Sequence, residues 1–368
     1  MTLDSIDILN FKNIASATLR FSPGANCLLG MNGMGKSNLL EAIHFLSMVR
    51  PMTSLPDNAI IRHGEEMLLV KGSFSTDSGA DDIISLGITR GKGKALKRNG
   101  KEYQRISEHI GRYPVVSVTP ADSMIVSGPG EDRRKLMDMV ISQAHPDYLS
   151  QLMRYNRALE SRNRMLRAGV RDQLLYESVE AGMEEAAAHI YSVRRDWVKA
   201  IAPKVQACYS RLAGDHEATA ISYRSQLEGT TLRDLLADRR QKDTVLGFTS
   251  AGTHRDDLEA SLDGYSLRRL GSQGQVKTFT IALRLAIFDY LKEASGITPL
   301  LLLDDIFDKL DSNRVERIMT EVTTSPVFGQ IFITDTNRKH LDDIIAGMSG
   351  PRSLINVSEG RFTPIETV

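Results

Sequence analysis

Residues 27–43 read CLLGMNGMGKSNLLEAI, and within them Gly30, Gly35, Lys36 and Ser37 keep the spacing G-x-x-x-x-G-K-[ST]. Loops of this pattern wrap their backbone N–H groups around the phosphates of a nucleotide. The glycines allow close backbone approach, Lys36 can set a point charge between the β- and γ-phosphates, and Ser37 can offer its hydroxyl to Mg²⁺. The flanks agree with the pattern. GANCLLG reads as a short buried strand ahead of the loop, and Leu39, Leu40, Ile43 and Leu46 recur at helical spacing after it. A helix starting near Lys36 points its positive end at the anion.

A phosphate loop needs a carboxylate for Mg²⁺ at the end of a neighbouring buried strand. LLLLDD supplies it: Asp304 ends a four-leucine run as the metal candidate, and Asp305 can orient or deprotonate an attacking water. A third element is LGSQGQVKTFTIALRLA, residues 270–286, in which Ser272, Gly274 and Gln275 stand just ahead of a long helix. A hydroxyl, a glycine N–H and a helix dipole meet there, although an ordinary serine cap reads the same way.

These groups need elements to hold them. The first 120 residues are strand-rich, with SIDILNF, SATLRF, LLVKGSFS, DIISLGITRG and PVVSV separated by Gly, Pro and Asn, and Asn99–Gly100 marks a tight hairpin. From about Glu131 the texture turns helical. After Ala218 short strands alternate with helices, the signature of a parallel α/β sheet. The predicted divisions are a first half of the sheet domain at 1–130, a helical insertion at 131–212, and a second half at 213–368.

The 368 residues carry 46 basic and 46 acidic side chains, so global charge attracts no polyanion and any nucleic-acid surface has to be local. Two stretches qualify. Residues 90–105 crowd lysines and arginines, Lys97 and Arg98 among them, around the Asn99–Gly100 turn. Residues 154–171 are arginine-rich, and on a continuous helix Arg157, Arg164, Arg167 and Arg171 share one face. Such a stripe can follow a phosphate backbone without reading bases, and it can equally be solvated surface. Cys27 and Cys208 form no disulfide framework, and no apolar run is long enough to span a bilayer; both point to a reducing, cytoplasmic setting without a membrane partner.

The order of phosphate loop, helical insertion, S-x-G-Q and LLLLDD resembles the ABC-type ATPase heads of the SMC group. ILNFKNI, VTPADSMIVSGPGEDRRKLMD, GTHRDDLEASLDG and LLLLDDIFDKLD narrow that resemblance to the RecF family of DNA replication and repair proteins. The resemblance implies an α/β fold, an ABC-ATPase-like P-loop head with a strand-rich N-terminal part and an inserted helical arm. It implies ATP contacts from Gly30, Met31, Asn32, Gly33, Met34, Gly35, Lys36 and Ser37, with Asn38 beside them, and Mg²⁺ near Ser37 and Asp304. It further implies hydrolysis by Asp305, contact with a second head's ATP from Ser272, Gly274 and Gln275, and a homodimer in the ATP state. The implied partners are double-stranded or gapped DNA and RecO- and RecR-type mediators. Lys12 and Asn13 also stand where the group often touches nucleotide, and His254, Arg255 and Asp256 match a block that an ion pair explains as well.

Departures temper the implied turnover. Asp305 replaces the usual glutamate, Gly271 replaces a hydrophobic residue before Ser272, and Thr334, Asp335 and Thr336 follow a strand where many relatives have a switch histidine. They favour a weak DNA-dependent ATPase acting as a switch. A module that uses ATP only as a dimer-forming ligand is the main alternative; a transporter ATPase suits the arginine-rich insertion poorly.

Overall fold

A computed structural model describes the chain apart from residues 54, 77–78, 80, 215, 308–311, 326, 348–349 and 366–368. The stretch DKLD at 308–311 therefore lies outside the described residues.

The chain forms two compact units. Unit 1 comprises Met1–Ala121, Arg211–Ala213 and Arg284–Val368, and unit 2 comprises Asp122–Ser210 and Gly214–Leu283. Along the chain run β1 (Thr2–Phe11), β2 (Ile14–Arg20), β3 (Ala25–Leu29), α1 (Lys36–Met48), β4 (Met67–Ser75), β5 (Asp81–Thr89), β6 (Gly93–Arg98), β7 (Lys101–Glu102) and β8 (Val115–Val118). Next come α2 (Ser123–Ser127), α3 (Gly130–Ala144), α4 (Pro146–Arg167), α5 (Gln173–Ala213), β9 (Thr219–Arg224), α6 (Leu232–Leu246), β10 (Asp257–Leu262), β11 (Tyr265–Ser266), α7 (Leu267–Leu270) and α8 (Gln273–Ser295). The chain closes with β12 (Leu300–Asp304), α9 (Ser312–Thr324), β13 (Ile331–Asp335), α10 (Arg338–Gly347), β14 (Arg352–Ser358) and β15 (Arg361–Ile365).

Unit 1 contains two sheets. In the order β2-β1-β4-β5-β6-β7 every pair is antiparallel. Its β4 and β5 alternate buried and exposed residues, as a sheet with one wet face requires. The turn at Asn99 (φ 51°) and Gly100 (φ 78°) joins β6 to β7 with two left-handed residues, the hairpin that Asn-Gly favours. The other sheet has the order β15-β14-β3-β13-β12-β8. It is parallel throughout except for β15 at its edge. Here β12 and β13 are buried along their whole length, matching their continuous apolar sequences. Asp304 lies opposite Thr334, and Asp335 opposite Leu29. Three neighbouring strands therefore end level, and the loops leaving their carboxyl ends meet.

The two compact units divide the chain differently from the expected boundaries. The helical insertion predicted at 131–212 is only part of unit 2, because β9, β10, β11, α6 and the start of α8 fold with the helices. Buried arginines are the physical reason. On α5, Arg194 donates to Asp256 and Asp138 at 2.8 Å each, to the Thr253 carbonyl at 2.8 Å and to the Tyr148 hydroxyl at 2.9 Å. On α4, Arg162 donates to Asp243 of α6 at 2.7 Å, to Glu180 of α5 at 2.8 Å and to the Thr249 hydroxyl at 2.9 Å. Both guanidinium groups are buried, and both tie the long helices to segments beyond residue 212.

The same network gives His254 and Asp256 a structural role. Asp256 accepts from Arg194 and, at 2.5 Å, from the Tyr223 hydroxyl. His254 bridges the Tyr155 hydroxyl and the Thr249 carbonyl at 2.7 and 3.0 Å, and burial lowers its pKa to about 4. The Arg255 guanidinium lies over the Phe248 ring. Asp256→Ala leaves Arg194 short of its fully buried counter-charge, so unfolding free energy in urea is expected to drop by about 3–5 kcal/mol, with no change for a charge reversal at exposed Arg224 beyond about 1 kcal/mol.

Candidate nucleotide site

The loop of residues 30–35 leaves β3 and runs straight into α1. Gly30 is required by space: a Cβ there would meet the Val357 carbonyl oxygen of β14 at 2.3 Å. Gly35 is required by conformation, with φ 113° at the helix cap. No side chain caps α1, and no acidic residue stands in its first turn. The first amides of the helix therefore present an uncompensated positive end toward the loop, the arrangement that binds an anion.

The loop is braced from several elements. Asn13 donates to the Gly33 carbonyl at 3.4 Å and accepts from Asn38 at 2.7 Å. Arg62 donates to the Asn13 carbonyl at 2.7 Å. The Gly360 amide donates to the Met34 carbonyl at 2.8 Å, and the Gly30 amide to the Asp335 carbonyl at 3.4 Å. Met31, Asn32 and Gly33 form the exposed crest. Lys36 is buried, its ammonium donating to the carbonyls of Gly30 at 2.7 Å and Met31 at 3.2 Å, so the charge sits inside the curve of the loop. Lys12 does not reach into the loop; its ammonium pairs with Glu41 of α1.

Beside the loop, one oxygen of the buried Asp304 carboxylate accepts from the Ser37 hydroxyl and the Thr334 hydroxyl, both at 2.8 Å. The Thr334 hydroxyl in turn accepts from the Asp305 amide at 3.0 Å. Asp305 adopts φ 43°, a left-handed conformation uncommon for a residue with a side chain. The Thr334 bond holds the turn that carries it. A serine hydroxyl and a carboxylate side by side are hard oxygen donors, a set that suits Mg²⁺, which completes its shell with waters and phosphate oxygens. No cluster of three or more His, Cys, Asp or Glu that could hold a metal occurs among the described residues.

Thr334, the last residue of QIFIT and part of β13, joins the site through its hydroxyl, and its sequence position marks it only by the absence of a histidine. A histidine is nearby after all. His340, in the first turns of α10, bonds Asp335 at 2.9 Å and meets the Phe307 ring edge to face. Its signal was a histidine five positions after a strand-ending aspartate.

The signature stretch starts α8 in unit 2. Ser272 accepts from the Gln275 amide at 3.2 Å, and the Ser272 amide donates to the Gln275 side chain at 2.9 Å, which is a capping box. The Gln275 amide group also donates to Glu217 at 2.5 Å. Gly271 is explained locally, since a Cβ would meet the Leu267 carbonyl oxygen at 2.5 Å.

The basic stripe needs correction. α4 ends at Arg167 and Gly169 turns the chain with φ 65°, so Arg171 is off the helix and does not extend its face. Arg162, inside the same arginine-rich stretch, is buried, whereas Arg157, Arg164 and Arg167 are exposed on α4. On the hairpin, Lys97 is exposed, but Arg98 is held by Asp82 through two bonds of 2.9 Å.

Residues 2–350 match the family described as RecF/RecN/SMC N terminal domain. The chain is 48% identical over 363 residues to the DNA replication and repair protein RecF of Porphyromonas gingivalis, spanning 98% of this chain and 100% of that protein. It is 44% identical to the RecF of Parabacteroides distasonis, with 100% of each covered. The chain belongs to the RecF family. Among solved structures, one described as the recombination mediator protein RecF-ATP in the RecFOR pathway is 27% identical, with a TM-score of 0.88 over 99% of this chain and 97% of that one. An Smc head from Pyrococcus furiosus shares the fold at a TM-score of 0.58 and 18% identity, over 99% of this chain and 95% of that one. The chain thus has the α/β ATPase-head fold of the RecF family.

Thr334→Val keeps the shape but removes the donor to Asp304 and the acceptor for the Asp305 amide. Unfolding free energy measured in urea is expected to fall by about 1–3 kcal/mol.

Proposed function

We propose that this chain is an ATP-dependent DNA-binding protein of recombinational repair and replication, in which ATP joins two copies into a clamp on DNA near gaps and slow hydrolysis resets it. The observation that carries the reading is the meeting of three level strand ends: the glycine loop with buried Lys36, the Asp304 carboxylate bonded to Ser37, and Thr334 bonded to the Asp305 turn. The RecF relatives, one of them described with ATP, support the nucleotide and the DNA.

In this reading the residues from Gly30 to Ser37, with Asn38, cradle the ATP phosphates through loop and helix amides. Lys36 exchanges its carbonyl contacts for the β- and γ-phosphate oxygens and neutralises charge that builds as the γ-phosphoryl group leaves. Ser37 and Asp304 would hold Mg²⁺, which would supply charge withdrawal from the phosphate oxygens. Asp305 aligns a water with the γ-phosphorus and takes its proton. An aspartate reaches less far than a glutamate, so turnover is slow. Ser272, Gly274 and Gln275 approach the ATP of the second copy, for which Ser272 and Gln275 exchange their mutual capping bonds. Arg157, Arg164 and Arg167, together with Lys97, contact DNA phosphates, and RecO- and RecR-type mediators read the ATP state.

Asp305→Asn keeps the side chain's size and removes its basicity. The variant is expected to bind ATP and dimerise like the parent while its ATP-loaded dimers outlive the parent's on gapped DNA, as followed by sedimentation and single-turnover hydrolysis. Equal lifetimes would assign ATP the role of a dimer-forming ligand without a timing function. For the arm, Arg157→Glu, Arg164→Glu and Arg167→Glu together are expected to weaken DNA binding regardless of base sequence. The slope of log K against log salt should flatten by about 0.9 for each DNA phosphate that the protein no longer neutralises. An unchanged slope returns these arginines to solvated surface.

A further inference from the structure

Unit 2 holds a cavity of about 490 Å³ that has no part in the nucleotide site. Its apolar wall is formed by Ile125, Val126, Trp197, Ile221, Phe279 and Leu283, contributed by α2, α5, β9 and α8. The polar wall sets four arginines, Arg133, Arg224, Arg268 and Arg269, against two carboxylates, Asp257 and Glu259.

Both carboxylates are already matched. Arg133 donates to the two oxygens of Asp257 at 2.6 and 2.9 Å, and Arg224 pairs with Glu259 at 2.7 Å. Arg268 and Arg269 are different. They are exposed on α7, and no ion pair with a described residue holds either guanidinium. The cavity therefore carries two surplus positive charges next to an apolar wall.

Next in the chain to the lining residues Ile125, Ser266 and Arg269 stand three large exposed apolar side chains. Met124 on α2, Tyr265 on β11 and Leu270 on α7 are 48%, 66% and 69% exposed. They lie on elements that pack on one another, since α7 contacts both α2 and β11. Large exposed apolar side chains rimmed by charge mark interaction surfaces, and Tyr and Arg dominate their binding energy. A volume of this size takes a few side chains.

We propose that this cavity docks a peptide segment of a partner protein in which an apolar anchor is flanked by carboxylates. The anchor enters against Trp197 and Phe279, and the carboxylates take the forked donors of Arg268 and Arg269. Charge complementarity selects this occupant. A nucleic acid would satisfy the arginines but leave the apolar wall wet, and a basic or neutral amphipath would desolvate two unpaired guanidinium groups. None of this depends on the nucleotide reading.

The test uses the full chain without nucleotide and a fluorescein-labelled, amidated octapeptide, Glu-Glu-Asp-Leu-Phe-Asp-Glu-Glu, beside a counterpart in which every acid is lysine. Trp197 is the only tryptophan in the chain, so its emission reports occupancy of the apolar wall. The acidic peptide is expected to raise anisotropy and shift Trp197 emission, and the lysine peptide to bind at least about tenfold more weakly. Arg268→Glu with Arg269→Glu should reverse that preference, both sites being exposed enough to tolerate the change. Ala260→Phe, which fills the cavity from β10, should weaken the acidic peptide with the thermal midpoint retained. Equal binding of the two peptides, or acidic-peptide binding indifferent to the arginine changes, overturns the proposal. So does failure of the acidic peptide to bind when the arginine changes alter only ATP-driven dimerisation, which would assign the face to a second copy of the chain.

Discussion

The Asp304 carboxylate is the constraint on which the rest of unit 1 depends. It stands at the end of a fully buried strand of leucines, where an ionised group without donors would cost several kcal/mol. The chain meets that cost with two hydroxyls on a single oxygen, Ser37 from the phosphate loop and Thr334 from the adjoining strand. Both donors reach it only because β3, β13 and β12 end level. The parallel sheet, the entry into α1 and the left-handed turn at Asp305 all serve that convergence. The same convergence brings an uncapped helix end, a buried ammonium and a carboxylate within one small region, which is what phosphoryl chemistry needs.

Unit 2 rests on a different device. Its long helices bury an apolar face that includes Tyr155, Ile190 and Trp197, and two buried guanidinium groups add directional ties from those helices to other segments of the unit. Arg194 and Arg162 each bind acids from separate segments, and each acid would be costly to leave alone. Such pairs favour one arrangement of helices over others that bury similar area. They also account for the GTHRDD stretch, whose His254 and Asp256 are tied into the network and not turned toward solvent. The arginine surplus beside Trp197 stands apart from this pattern, because Arg268 and Arg269 have no acid of their own among the described residues.

Elements governed by local chemistry were legible from residue order. The glycine loop, the helix after it, the buried strands at 25–29, 300–304 and 331–335, and the Asn99–Gly100 hairpin each follow from spacing or turn preference within about a dozen residues. Family membership was legible for the same reason, since its motifs are short and ordered. Arginines on α4 were not separable by type: Arg162 and Arg164 look alike in the chain, yet one is buried among acids from α5 and α6 and the other faces solvent. The helical stripe overran its end because Gly169 stops α4 before Arg171. Neither the extent of unit 2 nor the capping box of Ser272 and Gln275 could be read from periodicity alone.

Residue order alone therefore decided which chemistry this chain carries: a phosphate loop, a strand-ending carboxylate and an S-x-G-Q helix start, each encoded in contiguous residues whose backbone preferences are local. Tertiary structure decided which groups serve that chemistry together. Ser37 and Asp304 are 267 positions apart and become neighbours only through strand pairing, and Thr334 acquires its role from a register that no local pattern specifies. Burial made the remaining distinctions, because whether an arginine is a structural ion or a free surface charge depends on the acids that distant segments bring to it.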